Sequence, residues 1–161
     1  MNPTPTAIRI GQVLIAALVF GMVSFAAVAT VMAGQIGGPV DPKLATTLFI
    51  VIGGLAVSEL IAFHVVVRPL FMKQTRDAAA ALPEGDRAQH IEQRYLNLTI
   101  VAGALAEGVG LFGAATVLLT GRLEALAAPG LATIALLLIF PTQARLDRFS
   151  RAILDQGVFP R

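Results

Sequence analysis

Two carboxylates interrupt stretches in which nearly every other side chain is apolar. Glu59 lies in GGLAVSELIAFHVVVRP, and Glu107 stands in AGALAEGVGLFGAATVLLTG. A carboxylate at mid-depth in hydrocarbon costs at least about 2.5 to 3.5 kcal/mol on insertion scales, so such a group is protonated, hydrogen-bonded within a bundle, or holding a cation. The chemistry on offer is therefore uptake and release of a proton or of a small cation such as sodium. Glu59 lies about nine residues from the basic end of its run and Glu107 about twelve from the same end of its own; at 1.5 Å per residue their depths differ by roughly 4 to 5 Å. Two carboxylates at that range share one proton or bind one cation together. The structural alternative has each acid bonded to a hydroxyl or carbonyl of a neighbouring helix, holding the bundle in register.

Other reactive groups are sparse. His64, one turn before Arg68, is a candidate polar relay near the end of its run. The second histidine, His90, falls in a charged stretch, and the chain has no cysteine, so no metal-ligand spacing can be assembled. There is no P-loop, no glycine-rich dinucleotide turn and no Ser/His/Asp set. Neither an enzyme, a catalytic residue, a metal nor a cofactor is expected. A net charge of +2 is too small to point to nucleic acid.

The elements that hold these acids follow from composition. With 56% apolar and 14% charged residues and a mean hydropathy of +0.77, the chain lies outside the range of ordinary soluble domains, and the bilayer is the solvent it fits. Four apolar runs stand out, Ile10 to Ala33, Leu44 to Val67, Tyr95 to Thr120 and Leu126 to Phe140. The first three reach the roughly 20 residues that cross about 30 Å of hydrocarbon. The fourth spans only if its helix begins near Pro129 or earlier and continues through FPTQARLDRF, with Arg145 and Arg148 snorkelling to the interface. The first run exceeds the usual signal-peptide core, so it is read as a span although VMAG resembles a cleavage site.

Basic residues cluster at Arg9, between the second and third runs (Arg68, Lys73, Arg76, Arg87, Arg94), and after the fourth (Arg145, Arg148, Arg151, Arg161). The positive-inside rule then places both termini and the middle connection in the cytoplasm of a bacterial inner-membrane protein with four crossings. Asp41 is the expected N-cap of the second helix, with Pro42 at its first position, and Pro129 plays the same part for the fourth. The connection, 69–94, is alanine-rich and charged with LPEGD as its one strong breaker, which predicts helical extensions of helices two and three meeting at a tight turn. Pro69 predicts a kink in helix two.

Shifted by 87 residues, the chain aligns with itself without a gap. Ala17, Leu18, Gly21, Phe25, Ala27 and Gly34 meet Ala104, Leu105, Gly108, Phe112, Ala114 and Gly121; Pro42, Leu44, Ala45 and Thr46 meet Pro129, Leu131, Ala132 and Thr133. The expected architecture is an all-α integral membrane fold in a single domain, 1–161, with four transmembrane helices forming two parallel-repeat hairpins, about 8–68 and 95–155. Phe20 occupies the place equivalent to Glu107. Beside Glu107 runs a stripe of small residues, Ala106, Gly110 and Ala114, with Gly103 on the acid's own face, suited to close helix packing and to a homo-oligomer or membership of a membrane complex.

ALAEGVGLFGAATVLLTG, residues 104–121, resembles the ion-carrying helix of the proteolipid, or c, subunits of rotary ATPases. The resemblance implies that Glu107 takes up and releases a proton or sodium ion within an assembly of several copies. The chain departs from that family in carrying the acid on the first helix of a hairpin, in lacking the dense glycine repeat of the partner helix, and in its long middle connection. The ALAEG helix with its FPT and basic tail is also similar to bacterial four-helix membrane proteins without an assigned role. The resulting expectation is a small polytopic membrane protein with a buried protonatable or cation-binding carboxylate; the alternative is a structural or assembly subunit.

Overall fold

The computed structural model describes residues 6–36 and 41–155, and every element in it is helical. In chain order these are α1 (Thr6–Ile36), α2 (Pro42–Ile61), a π-helical segment (Ala62–Val67), α3 (Arg68–Ala80), α4 (Glu84–Thr120), a 3-10 turn (Leu123–Leu126), α5 (Ala127–Leu138) and α6 (Gln143–Leu154). Three stretches are long and apolar enough to cross a membrane: α1, the α2–π–α3 run and α4. A fourth crossing exists only if the bent pair ending in α5 and α6 is one span. The large apolar side chains that remain exposed, among them Val13, Phe20, Ile50 and Leu137, suit a hydrocarbon exterior. Residues 37–40, which belong to the first hairpin connection, and Arg161 of the basic tail lie outside the described residues.

Helix ends form where local chemistry requires them. The Asp41 side chain accepts the Lys43 N–H at 2.9 Å, and Pro42 opens α2 at a position whose missing N–H costs nothing. Gly121 closes α4 in the left-handed conformation at φ 65°, where its N–H reaches the Val117 carbonyl at 2.7 Å. The start of α1 is held by α4, since Glu92 Oε1 accepts the Ala7 N–H at 3.0 Å. Between α3 and α4 only Ala81, Leu82 and Pro83 intervene, so the charged connection does form two helical extensions joined by a tight turn.

At Pro69 the second run stays helical, and the six residues before Arg68 adopt π-helical pairing, with the Arg68 N–H donating to the Phe63 carbonyl. The wider turn accommodates a ring that has no N–H to offer and that crowds the carbonyl four residues back. The fourth helix does not continue through FPTQARLDRF. Pro141 disfavours helical backbone at Phe140, the chain turns by 71°, and α5 ends after 12 residues, about 18 Å of rise. Pro129 lies inside α5 rather than before it, because the 3-10 turn has already started the helix.

α4 is the centre of the bundle. α1 packs along it in parallel, α5 and the α2–π–α3 run pack against it in the opposite direction, and α1 also touches α5. Glycines make these approaches possible: a Cβ at Gly103 would meet Ile15 at 2.9 Å, and one at Gly110 would fall on the Met22 sulfur. Ile15 and Met22 join Ala132 and Leu136 of α5 in one buried cluster. At the basic end α6 folds back, placing Leu146, Phe149 and Ile153 against Ile8, Ala79, Ile91 and Tyr95. The apolar face of α6 is therefore spent inside the protein.

Candidate functional site

The small-residue stripe builds the bundle, and neither acid belongs to it. Gly103 and Gly110 are buried and Ala106 half-buried against α1 and α5, and Ala114 is buried. Glu107 is about 40° round the helix from Gly103, on the α1 flank. It is half-buried.

Glu59 is also half-buried, on the α2 side of α4, with Oε1 3.9 Å from where a Cβ on Gly108 would stand. Gly108 follows Glu107 directly, so the Glu59 carboxylate stands near the level of Glu107 along α4. Glu107 itself does not line the space that Glu59 faces.

That space is a groove of ≈ 600 Å³ with α4 as its floor and α2 and α5 as its flanks. Its walls are apolar except at three places: Glu59, His64 and Glu124. Glu59 and His64 are five residues apart, which on an unbroken α-helix is a divergence of about 140°. The π-helical segment, pairing each residue with one five back, turns His64 toward the same side. His64 Nδ1 lies 3.1 Å from the Leu60 carbonyl oxygen. A carbonyl only accepts, so in the neutral ring Nδ1 carries the proton and Nε2 the lone pair. At the other end of the groove Glu124 projects from the 3-10 turn. Nothing in GRLEAL marked this acid, which reads as an ordinary connection charge.

Nearby hydroxyls are occupied elsewhere. Ser58 donates to Leu55, Thr99 to Tyr95, Thr116 to Phe112, Thr120 to Thr116 and Thr133 to Pro129, each within its own helix. Among the described residues, no side-chain or backbone donor is bonded to Glu59 or Glu107. The register-holding alternative requires such bonds. No group of three or more metal-ligating side chains exists among the described residues. No family model, curated protein or solved structure matches the chain.

Proposed function

We propose that the protein is a small polytopic membrane protein that exchanges a proton or a small cation at an intramembrane carboxylate, and that Glu59 in the α2–α4–α5 groove is that group. The observation that carries this reading is a half-buried acid facing an apolar groove with no protein donor bonded to it. Such a carboxylate is neutral or accompanied by a cation, and either state changes when the groove is hydrated or filled. His64, with its lone pair on Nε2, is the relay between that acid and the basic end. Glu107 is a second intramembrane carboxylate on the α1 flank. Basic residues on α3, α4 and α6 favour a bacterial inner-membrane orientation with both termini cytoplasmic.

The 87-residue offset belongs to this proposal as a duplicated hairpin. Its support is that Gly11 meets Leu96, Ile15 and Leu18 meet Gly103, and Met22 meets Gly110, each pair within two positions of the same offset. A pseudo-two-fold axis between α1 and α4 produces such a register.

Reaction with a hydrophobic carbodiimide tests the site. In proteoliposomes the reagent is expected to modify wild type and Glu107→Gln but not Glu59→Gln, and to abolish proton or sodium flux together with labelling. Unchanged flux and labelling in Glu59→Gln would overturn the assignment.

A second reading, as an assembly subunit, is favoured by one observation. A Cβ at Gly21, Gly53 or Gly54 would meet nothing within 4 Å, leaving small-residue surface open to another helix. Under that reading the protein joins copies of itself or a larger complex through those faces, and Gly54→Leu reduces the size of the particle in detergent while sparing flux.

A further inference from the structure

Volume, shape and charge of the groove define what fits it more narrowly than a bare proton. It extends along α2 from Phe49 to His64, about 22 Å at 1.5 Å per residue. Over that length, ≈ 600 Å³ is enough to seat one extended alkyl chain. Ile52, Gly53 and Ala56 of α2, Leu105 and Val109 of α4, and Leu131 of α5 supply its walls. Leu60 and Leu131 on its flanks are 61% and 67% exposed, so the slot opens sideways onto the apolar exterior.

The charges on its walls have one sign. Glu59 and Glu124 line it, His64 is the third ionisable group, and no lysine or arginine does so. A phospholipid headgroup phosphate would meet a carboxylate there with no basic partner. A cation with an apolar body meets a carboxylate lacking any protein donor, and exchange of that cation for a proton leaves the site neutral in both states.

We infer that the α2–α4–α5 groove binds a single-chain lipophilic cation, an alkylammonium amphiphile, with its ammonium on Glu59 and its chain along the slot toward Glu124. This rests on Glu59 being the exchanging carboxylate, and it adds the substrate class. The ammonium lies level with Gly108, where the absence of a side chain leaves α4 open beside the carboxylate. A proton on Glu59 displaces the ammonium, and the amphiphile leaves laterally into the bilayer.

The test uses the full chain in nanodiscs of zwitterionic lipid, with radiolabelled decyltrimethylammonium as probe and empty nanodiscs as background. Saturable binding is expected in wild type, weakened at least tenfold in Glu59→Gln, restored in part by Glu59→Asp, and unchanged in Glu107→Gln. Gly53→Phe, which fills the slot and leaves the acid in place, is expected to abolish it. A monodisperse elution profile for each variant separates loss of binding from loss of fold. Equal competition by decyl sulfate would show that the groove accepts hydrocarbon tails only, and would overturn the cation site. Absence of saturable binding while carbodiimide still modifies Glu59 overturns the amphiphile site alone; absence of both overturns the exchange reading with it.

Discussion

At Gly110 the space for a side chain is already taken by the Met22 sulfur of α1 and the Ala132 methyl of α5. A single added methyl must displace one of them. Gly110→Ala is therefore expected to cost about 1 to 3 kcal/mol through overpacking, seen as a lower midpoint of thermal unfolding in detergent. The Met22→Ala background should recover part of that loss, because it removes the principal obstacle. Gly21→Ala is the control: it sits on exposed α1 surface with nothing within 4 Å, so stability should hold or rise slightly through helix propensity. The stripe Gly103, Ala106, Gly110 and Ala114 was legible from the sequence because small residues at helical spacing have one physical use. What it packs against was not legible, since the same spacing serves a second chain as well as a neighbouring helix. The acids show the same limit. Glu59 and Glu107 are conspicuous by type, yet which one opens onto a groove depends on α2 leaning on α4, and Glu124 has no local signal at all.

Among the elements, the three long helices and the tight α3–α4 turn followed from hydropathy and from LPEGD, because those signals are local. The end of the chain did not. Residues after Phe140 carry apolar positions at Leu146, Phe149 and Ile153, a helical face that could extend a span or fold onto protein. Pro141 decides between them by breaking α5, and α1 supplies the receptor: the Pro141 ring lies 3.0 Å from where a Cβ on Gly11 would stand, and its carbonyl accepts from Gln12 Nε2 at 3.1 Å. Both partners are some 130 residues away in sequence, beyond the reach of any local pattern. Gly11→Leu should push Pro141 out of this notch and undock α6. Hydrogen exchange is expected to accelerate across 143–154 while amides within α1 and α4 stay protected. Uniform acceleration in all helices would instead mean that Gly11 holds the whole bundle rather than this corner.

On the scale of the whole molecule, α1 and α4 run in parallel, the α2–π–α3 run and α5 run against them, and the basic residues of α3, α4 and α6 gather at one end. Basic residues resist translocation, so the proposed orientation puts that end in the cytoplasm and the end bearing Thr46 and Glu124 outside. The chain has no native cysteine, which makes single-cysteine labelling unambiguous. Ala81→Cys in the α3–α4 turn and Arg151→Cys on α6 should react with a membrane-impermeant maleimide only in inverted vesicles, and Thr46→Cys only in intact cells from which the outer membrane has been stripped. Arg151 is the informative position. If α5 and α6 form one bent span, Arg151 shares the side of Ala81, as the common apolar cluster of Ile8, Ala79, Ile91 and Ile153 requires. Labelling of Ala81→Cys and Arg151→Cys from opposite sides would break that cluster apart and leave three crossings rather than four. Labelling from the same side fixes an even number of crossings, which the proposed pair of hairpins requires.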